Sequence, residues 1–185
     1  MYLVLDSLPR PYGRPPVTGA VDREPSGGVL VVGLGNDLRG DDAAGIEVAR
    51  RLRQSRALPG IRVREHQGDP AELLELWSGR DAAILVDCMR SGAPPGTIRR
   101  FDVDRQHLPV RRRGSTSSHA IALMDAIELG RALQRLPRQA LLYAVEGGTF
   151  DAGSGLSPPV ETVIAELADT VWREAIGLRV CPQFQ

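Results

Sequence analysis

The sequence predicts an α/β fold: a single domain on a mostly parallel sheet with helices covering both faces. Three observations carry this. The apolar runs Val29–Val32, Ala82–Val86 and Ala140–Val145 have the unbroken hydrophobicity of strands buried on both sides. Helical patterns stand between and after them, the clearest being Val160, Val163, Ile164, Leu167 and Val171 on one face. Strand and helix alternate along the chain, which makes the strands parallel and sends each connection over the sheet.

The elements follow in order. Residues 1–27 hold five prolines and little periodicity and read as a flexible leader. The domain spans 28–176, and 177–185 form a C-terminal tail. After the first strand, Gly45, Val48, Ala49 and Leu52 fall at helical spacing. Ile61–Glu65 alternates apolar and charged residues, as an edge or half-buried strand does. The turn Gly68-Asp69-Pro70 introduces a short helix over Ala71–Trp77. The second buried strand ends at Asp87. A Pro/Gly turn at 92–96 leads into a strand over Thr97–Phe101. Residues 104–117 are polar and Arg-rich, a loop. Ala120, Leu123, Met124 and Ile127 form the next helical stripe. No internal repeat is visible.

Composition narrows the function. With 185 residues, 42% apolar and 25% charged, the chain is long enough for one full core. Its formal net charge is zero, so no bulk attraction to nucleic acid or to an anionic membrane is expected. No apolar run approaches a membrane span, and the N-terminus lacks a signal-peptide pattern; the expected location is the cytoplasm. Cys88 and Cys181 match no zinc spacing and read as a core thiol and a tail thiol. All 23 basic residues are Arg, which removes Schiff-base and Ser–Lys mechanisms. No Gly-x-Ser-x-Gly elbow is present either. Arg111-Arg112-Arg113 reads as a solvated loop or a contact for an anionic partner. His66 and His107 have no obvious partners.

The stretch from Gly33 to Gly45 is the most informative. A strand, a glycine-rich turn and a helix suggest a nucleotide site, but a dinucleotide turn needs Gly where Leu38 stands, and a P-loop needs Lys. Asp41 and Asp42 instead place carboxylates near the helix start, where they repel phosphate and suit a cation; they also fit simple dipole stabilisation worth about 0.3–1 kcal/mol each. Asn36 reads as a turn residue. In a parallel sheet, ligands sit beyond the carboxyl ends of the strands. That rule selects Asp42 after the first strand, Asp87 at the end of the second buried strand, and His119 at a helix start capped by Ser117 or Ser118. Two carboxylates and an imidazole suit Ni, Zn, Fe or Mn, and three ligands leave positions open for water or substrate. Each residue also has a duller explanation, as a helix stabiliser, a turn former or a structural histidine.

In order, Gly33-Leu-Gly-Asn36 with Asp41, Asp42 and Gly45, then Leu85-Val-Asp87, Pro95-Gly-Thr-Ile98, Ser118-His119 and Gly155-Leu-Ser-Pro158 resemble the motifs of the hydrogenase maturation endopeptidases. The resemblance covers most of residues 29–172. It implies a three-layer α/β/α sandwich with a twisted, mainly parallel sheet. It implies an endopeptidase that removes the C-terminal extension of a nickel-loaded [NiFe]-hydrogenase large-subunit precursor. Asp42, Asp87 and His119 match the family's metal-contacting positions, and as catalytic and metal-contacting residues they would meet nickel supplied by the precursor, with no organic cofactor. The expected partner is that large-subunit precursor, and the expected state is a monomer or weak dimer. Departures are Ala43 where many members have Gly, Asp42 where many have Glu, and His66-Gln67-Gly68-Asp69 in place of an Asp-Gly-Gly-Thr-like turn. Two alternatives stand beside this reading: a non-catalytic checkpoint protein for the nickel-loaded large subunit, and a nucleotide-binding α/β enzyme.

Overall fold

The computed structural model describes residues 27–103, 105 and 118–180; for 118–121 and 180 it describes the backbone alone. The expectations for the leader, the Arg-rich loop, His107 and Cys181 lie outside the described residues. The elements are β1 (Val29–Leu34), a short 3-10 helix (Gly40–Ala43), α1 (Ala44–Ser55), β2 (Ile61–His66), α2 (Pro70–Trp77), β3 (Ala82–Met89), β4 (Ile98–Asp102), α3 (Ser118–Ala132), β5 (Gln139–Glu146) and α4 (Pro158–Val180). The last helix therefore includes residues 177–180, the start of the expected tail.

The five strands form one sheet in the order β2-β1-β3-β5-β4. β1 runs parallel to β2 and β3, and β3 parallel to β5, while β4 closes the edge antiparallel to β5. Alternation along the strands divides the core in two. Val29, Val31, Ile84 and Val86 pack with α1 and α4, whereas Leu30, Val32, Ala83 and Leu85 pack with α2 and α3. Two buried clusters on opposite faces of one sheet make the three-layer sandwich. Each strand is covered on both sides, which is why β1, β3 and β5 read as continuous apolar runs.

β2 is an edge strand, as its half-polar pattern predicts. α2 starts where expected: Asp69 accepts hydrogen bonds from the Ala71 and Glu72 N–H groups, both at 2.9 Å, and Pro70 takes the first helical position. β3 differs. It runs two residues past Asp87, because β5 pairs with it through Cys88 and Met89. β1 stops pairing with it at Val86. From Asp87 onward one edge of β3 has no neighbouring strand among the described residues. With β2 on one side of β1 and β3 on the other, this is the switch point at which open α/β sheets bind ligands. No helix among the described residues is long and apolar enough to cross a membrane.

Candidate active site

The loop from β1 to α1 borders the switch point, and glycine sets how closely it packs. A Cβ on Gly45 would lie 2.2 Å from the Val86 carbonyl oxygen and 2.4 Å from that of Leu34. On Gly33 it would lie 2.0 Å from the Gly45 carbonyl oxygen, and on Gly35 1.8 Å from that of Asp42. Without side chains at these positions α1 presses directly onto β1 and β3. The space over each glycine is filled by protein backbone, so this turn is a packing device and leaves no cradle for a phosphate. Asn36 closes an Asx-turn by accepting from the Leu38 N–H at 3.0 Å, as its expected turn role requires. Arg50 ties the loop to its surroundings, donating to Asp37, Glu47 and Glu65 at 2.7, 2.9 and 3.0 Å.

Asp41 and Asp42, adjacent in sequence, have different surroundings. Asp41 is fully buried and accepts four hydrogen bonds: from the N–H groups of Gly148, Thr149 and Ser157 at 2.7, 2.9 and 2.6 Å, and from the Ser157 hydroxyl at 2.8 Å. Burial alone would raise its pKa, but these donors, led by the Ser157 N–H, outweigh it and hold the carboxyl below its ordinary value. Asp41 is the pin that fastens the 147–157 loop to the start of α1.

Asp42 is 3% exposed, in the 3-10 helix that follows β1, and Asp87 is 4% exposed, near the carboxyl end of β3. Asp87 accepts from the Cys88 N–H at 2.8 Å. Burial pushes its pKa up to about 7; the Cys88 N–H works against this, and the negative charge of Asp42 adds to it. The two carboxylates are both buried and feel each other's charge. A cation between them would relieve the repulsion and favour the ionised form of Asp87. Among the described residues no three His, Cys, Asp or Glu side chains form a metal cage. Two carboxylates would leave a cation needing ligands from elsewhere.

The third expected residue, His119, belongs to the first turn of α3, on the sheet face toward which alternation turns Asp87. Its side chain lies outside the described ones. Cys88 faces the other way, into the α1/α4 core, and burial followed by the charges of Asp87 and Asp42 pushes its thiol far up, so it is a structural thiol. His66 does have partners. Its Nδ1 accepts from the Gly68 N–H at 2.8 Å, which puts the proton on Nε2, 3.1 Å from Glu72. The His66–Asp69 turn is thereby ordered as a helix start.

One residue escaped the sequence reading. Glu146, 1% exposed at the end of β5, accepts from the N–H and hydroxyl of Ser91, both at 2.7 Å, and from the Gly92 N–H at 2.8 Å. It clamps the loop that follows β3. Its only sequence signal is a charge that ends an apolar run.

The sequence model of a known family, described as hydrogenase maturation protease (HycI), matches residues 46–174. The chain belongs to this family. Among its relatives, the hydrogenase 2 maturation protease of Escherichia coli (strain K12) is 28% identical over 145 residues, spanning 77% of this chain and 87% of the relative. The solved structure of the hydrogenase maturating endopeptidase HybD from E. coli superposes with a TM-score of 0.69 at 27% identity, covering 80% of this chain and 91% of that one. The [NiFe] hydrogenase maturation protease HybD from Thermococcus kodakarensis, at 22% identity and a TM-score of 0.63 over 80% and 99% of the two chains, shares the fold. Membership makes the chain a peptidase, a hydrolase of the peptide bond. The α/β sandwich expected from sequence is the fold of these structures.

Proposed function

We propose that this family member removes the C-terminal extension of a nickel-loaded [NiFe]-hydrogenase large-subunit precursor, using Asp42, Asp87 and His119 to meet the nickel that the precursor carries. The observation that carries the reading is the buried, mutually repelling pair Asp42 and Asp87 at the switch point. Such a pair is costly unless a cation or a proton joins it. Nickel brings its own ligands from the precursor, which suits a site with few protein ligands of its own. The chain then needs no resident metal and no organic cofactor.

The geometry supports water as nucleophile. Cys88 is sealed in the core, and Ser157 spends its hydroxyl on Asp41. The water oxygen attacks the scissile carbonyl carbon, and its proton passes to a carboxylate of the pair. As the C–N bond breaks, that proton goes to the amine of the departing extension. A group with a pKa near 7 is well matched to this transfer. We place the reaction in the cytoplasm, carried out by a monomer or weak dimer.

The test is cleavage of nickel-loaded and nickel-free precursor by the wild-type protein and by Asp42→Ala, Asp87→Ala and His119→Ala. Cleavage only with nickel, lost in all three variants, is expected. A folded wild-type protein that binds the loaded precursor without cutting it would favour a checkpoint role. Full activity in any one variant would remove that residue from the site.

A further inference from the structure

Leu38 is 70% exposed, more than any other large hydrophobic side chain among the described residues. Its backbone is tied on both sides. The Leu38 N–H donates to Asn36 Oδ1 at 3.0 Å, and its carbonyl accepts from the Gly153 N–H at 2.8 Å. On either side of it, Asp37 accepts from Arg50 at 2.7 Å, and the Gly40 N–H donates to the Ser154 carbonyl at 3.1 Å. These ties leave the loop little freedom to turn Leu38 inward. They also join Leu38 to the carboxylate pair. The Asp42 N–H donates at 3.1 Å to the carbonyl of Arg39, the neighbour of Leu38, and the Asn36 N–H donates to the Asp42 carbonyl at 3.2 Å. Residues 36–42 are one closed loop, with Asp42 buried at its base and Leu38 on its surface.

Single exposed leucines are ordinary on protein surfaces. Two others, Leu129 and Leu133, lie where the end of α3 turns into the amino end of β5, the far end of the sheet. Leu38 is the one of the three at the carboxyl ends of the parallel strands, where such sheets bind ligands. Asp42 and Asp87 are buried, so a metal ion carried by a large precursor meets them only as the precursor settles onto the loops around them. A leucine whose backbone is already held loses little freedom on contact, and covering it removes apolar surface from water. The matching group is another apolar side chain. A charged or strongly polar one would lose its water and gain no hydrogen bond.

We propose that Leu38 is a specificity-determining contact that receives an aliphatic or aromatic side chain of the precursor, from the segment flanking the scissile bond. This rests on the peptidase reading above. Leu38 takes no part in bond breaking; it selects and seats the peptide beside the carboxylate pair.

The test measures KM, kcat and the Kd of the complex for wild type, Leu38→Ser, Leu38→Met and the control Leu133→Ser. The substrates are the native nickel-loaded large-subunit precursor and a set in which each apolar residue flanking the scissile bond is changed singly to Ser. Thermal melts confirm that the variants fold. Leu38→Ser should raise KM and Kd about fivefold to tenfold on the native precursor, with kcat within about twofold. Leu38→Met should recover most of the loss, and Leu133→Ser should leave all three constants unchanged. One altered precursor should bind wild type about as weakly as the native one binds Leu38→Ser. Against that precursor Leu38→Ser should cost nothing further, the sign of a direct contact. An unchanged KM and Kd in Leu38→Ser, with wild type active, would overturn the contact alone. So would an equal penalty on every precursor, which marks a structural leucine, or the same loss in Leu133→Ser. A folded wild type that neither binds nor cuts the native precursor would overturn the peptidase reading and the contact together.

Discussion

Asp41 and Asp87 are both buried carboxylates at the same end of the sheet, and the protein treats them in opposite ways. Asp41 accepts four hydrogen bonds and is held ionised. Asp87 accepts one bond among the described residues, from the Cys88 N–H, and burial, with the charge of Asp42 added, lifts its pKa to about 7. Burial pushes both pKa values up; at Asp41 four donors outweigh it, and at Asp87 the Cys88 N–H does not. A reactive carboxylate is one that the fold has left short of partners, at a cost to stability.

The sharpest way to break this comparison is Asp87→Asn, which keeps the shape and removes the charge. Cleavage should fall by about a thousandfold, read in single-turnover assays on the loaded precursor. Stability should move the other way. With its folded pKa raised above the ordinary value of 3.8, Asp87 keeps a proton that the unfolded chain has lost between about pH 4 and 7. Wild-type stability therefore falls as pH rises through that window and levels off above about 7. Asn carries no charge at any pH, so the variant lacks this slope. At about 1.4 kcal/mol per pH unit, the gain at pH 8 is at most about 4 kcal/mol. Urea unfolding at pH 4 and pH 8 reads it; a variant less stable than wild type at pH 8 would sink the idea that Asp87 is held under strain.

Asp41→Ala probes the other member and should give the next largest effect. Four donors lose their acceptor, at about 1 kcal/mol each, so a loss of about 3–4 kcal/mol is expected. The linkage sign is reversed. Because the folded pKa is lowered, the stabilisation is present above the ordinary carboxylate value and is lost as pH falls through the lowered one. Denaturant titration near neutral pH checks the magnitude. A loss under about 1 kcal/mol would mean that solvent satisfies the 147–157 loop without Asp41.

The same contrast shows what a linear chain can and cannot reveal. The runs at β1, β3 and β5 and the stripe of α4 were readable because burial on a sheet face or helix face is a local pattern. Asp42 was readable as a carboxylate near the helix start after the first strand, and Asp87 as one at a strand end. What separates Asp41 from Asp42 was not, because the partners of Asp41 come from 107 to 116 residues away. Glu146 was hidden for the same reason, since it grips Ser91 and Gly92 from the far end of β5. The last residues of β3 depend on pairing with β5, which no window on β3 contains.

Gly45→Ala tests whether the glycines serve the carboxylates by packing. Helix propensity favours Ala by about 1 kcal/mol. A Cβ 2.2 Å from the Val86 carbonyl oxygen and 2.4 Å from that of Leu34 opposes it, and backbone atoms cannot move aside as a flexible side chain can. Overpacking of this kind costs about 1–3 kcal/mol, so the clash wins and a net loss of about 1–2 kcal/mol is expected in thermal unfolding. Cleavage should weaken as well, because α1, with Asp42 in the turn before it, would lift from the strand that carries Asp87. A more stable and fully active Gly45→Ala would show that the close approach is not needed.

The smallest effect belongs to Cys88, and it carries the most weight for the chemistry. This thiol adjoins Asp87 in sequence, yet strand alternation turns it into the α1/α4 core, where burial and the nearby carboxylates keep it protonated. Cys88→Ala should cost about 1 kcal/mol, the loss of one small buried group. Cleavage of the loaded precursor should stay within about twofold of wild type. A drop of a hundredfold or more with the fold intact would make the thiol the nucleophile and remove water from that role. An intact rate leaves the chemistry on the carboxylate side of β3, one residue away on the opposite face, where burial and the charge of Asp42 lift the pKa of Asp87.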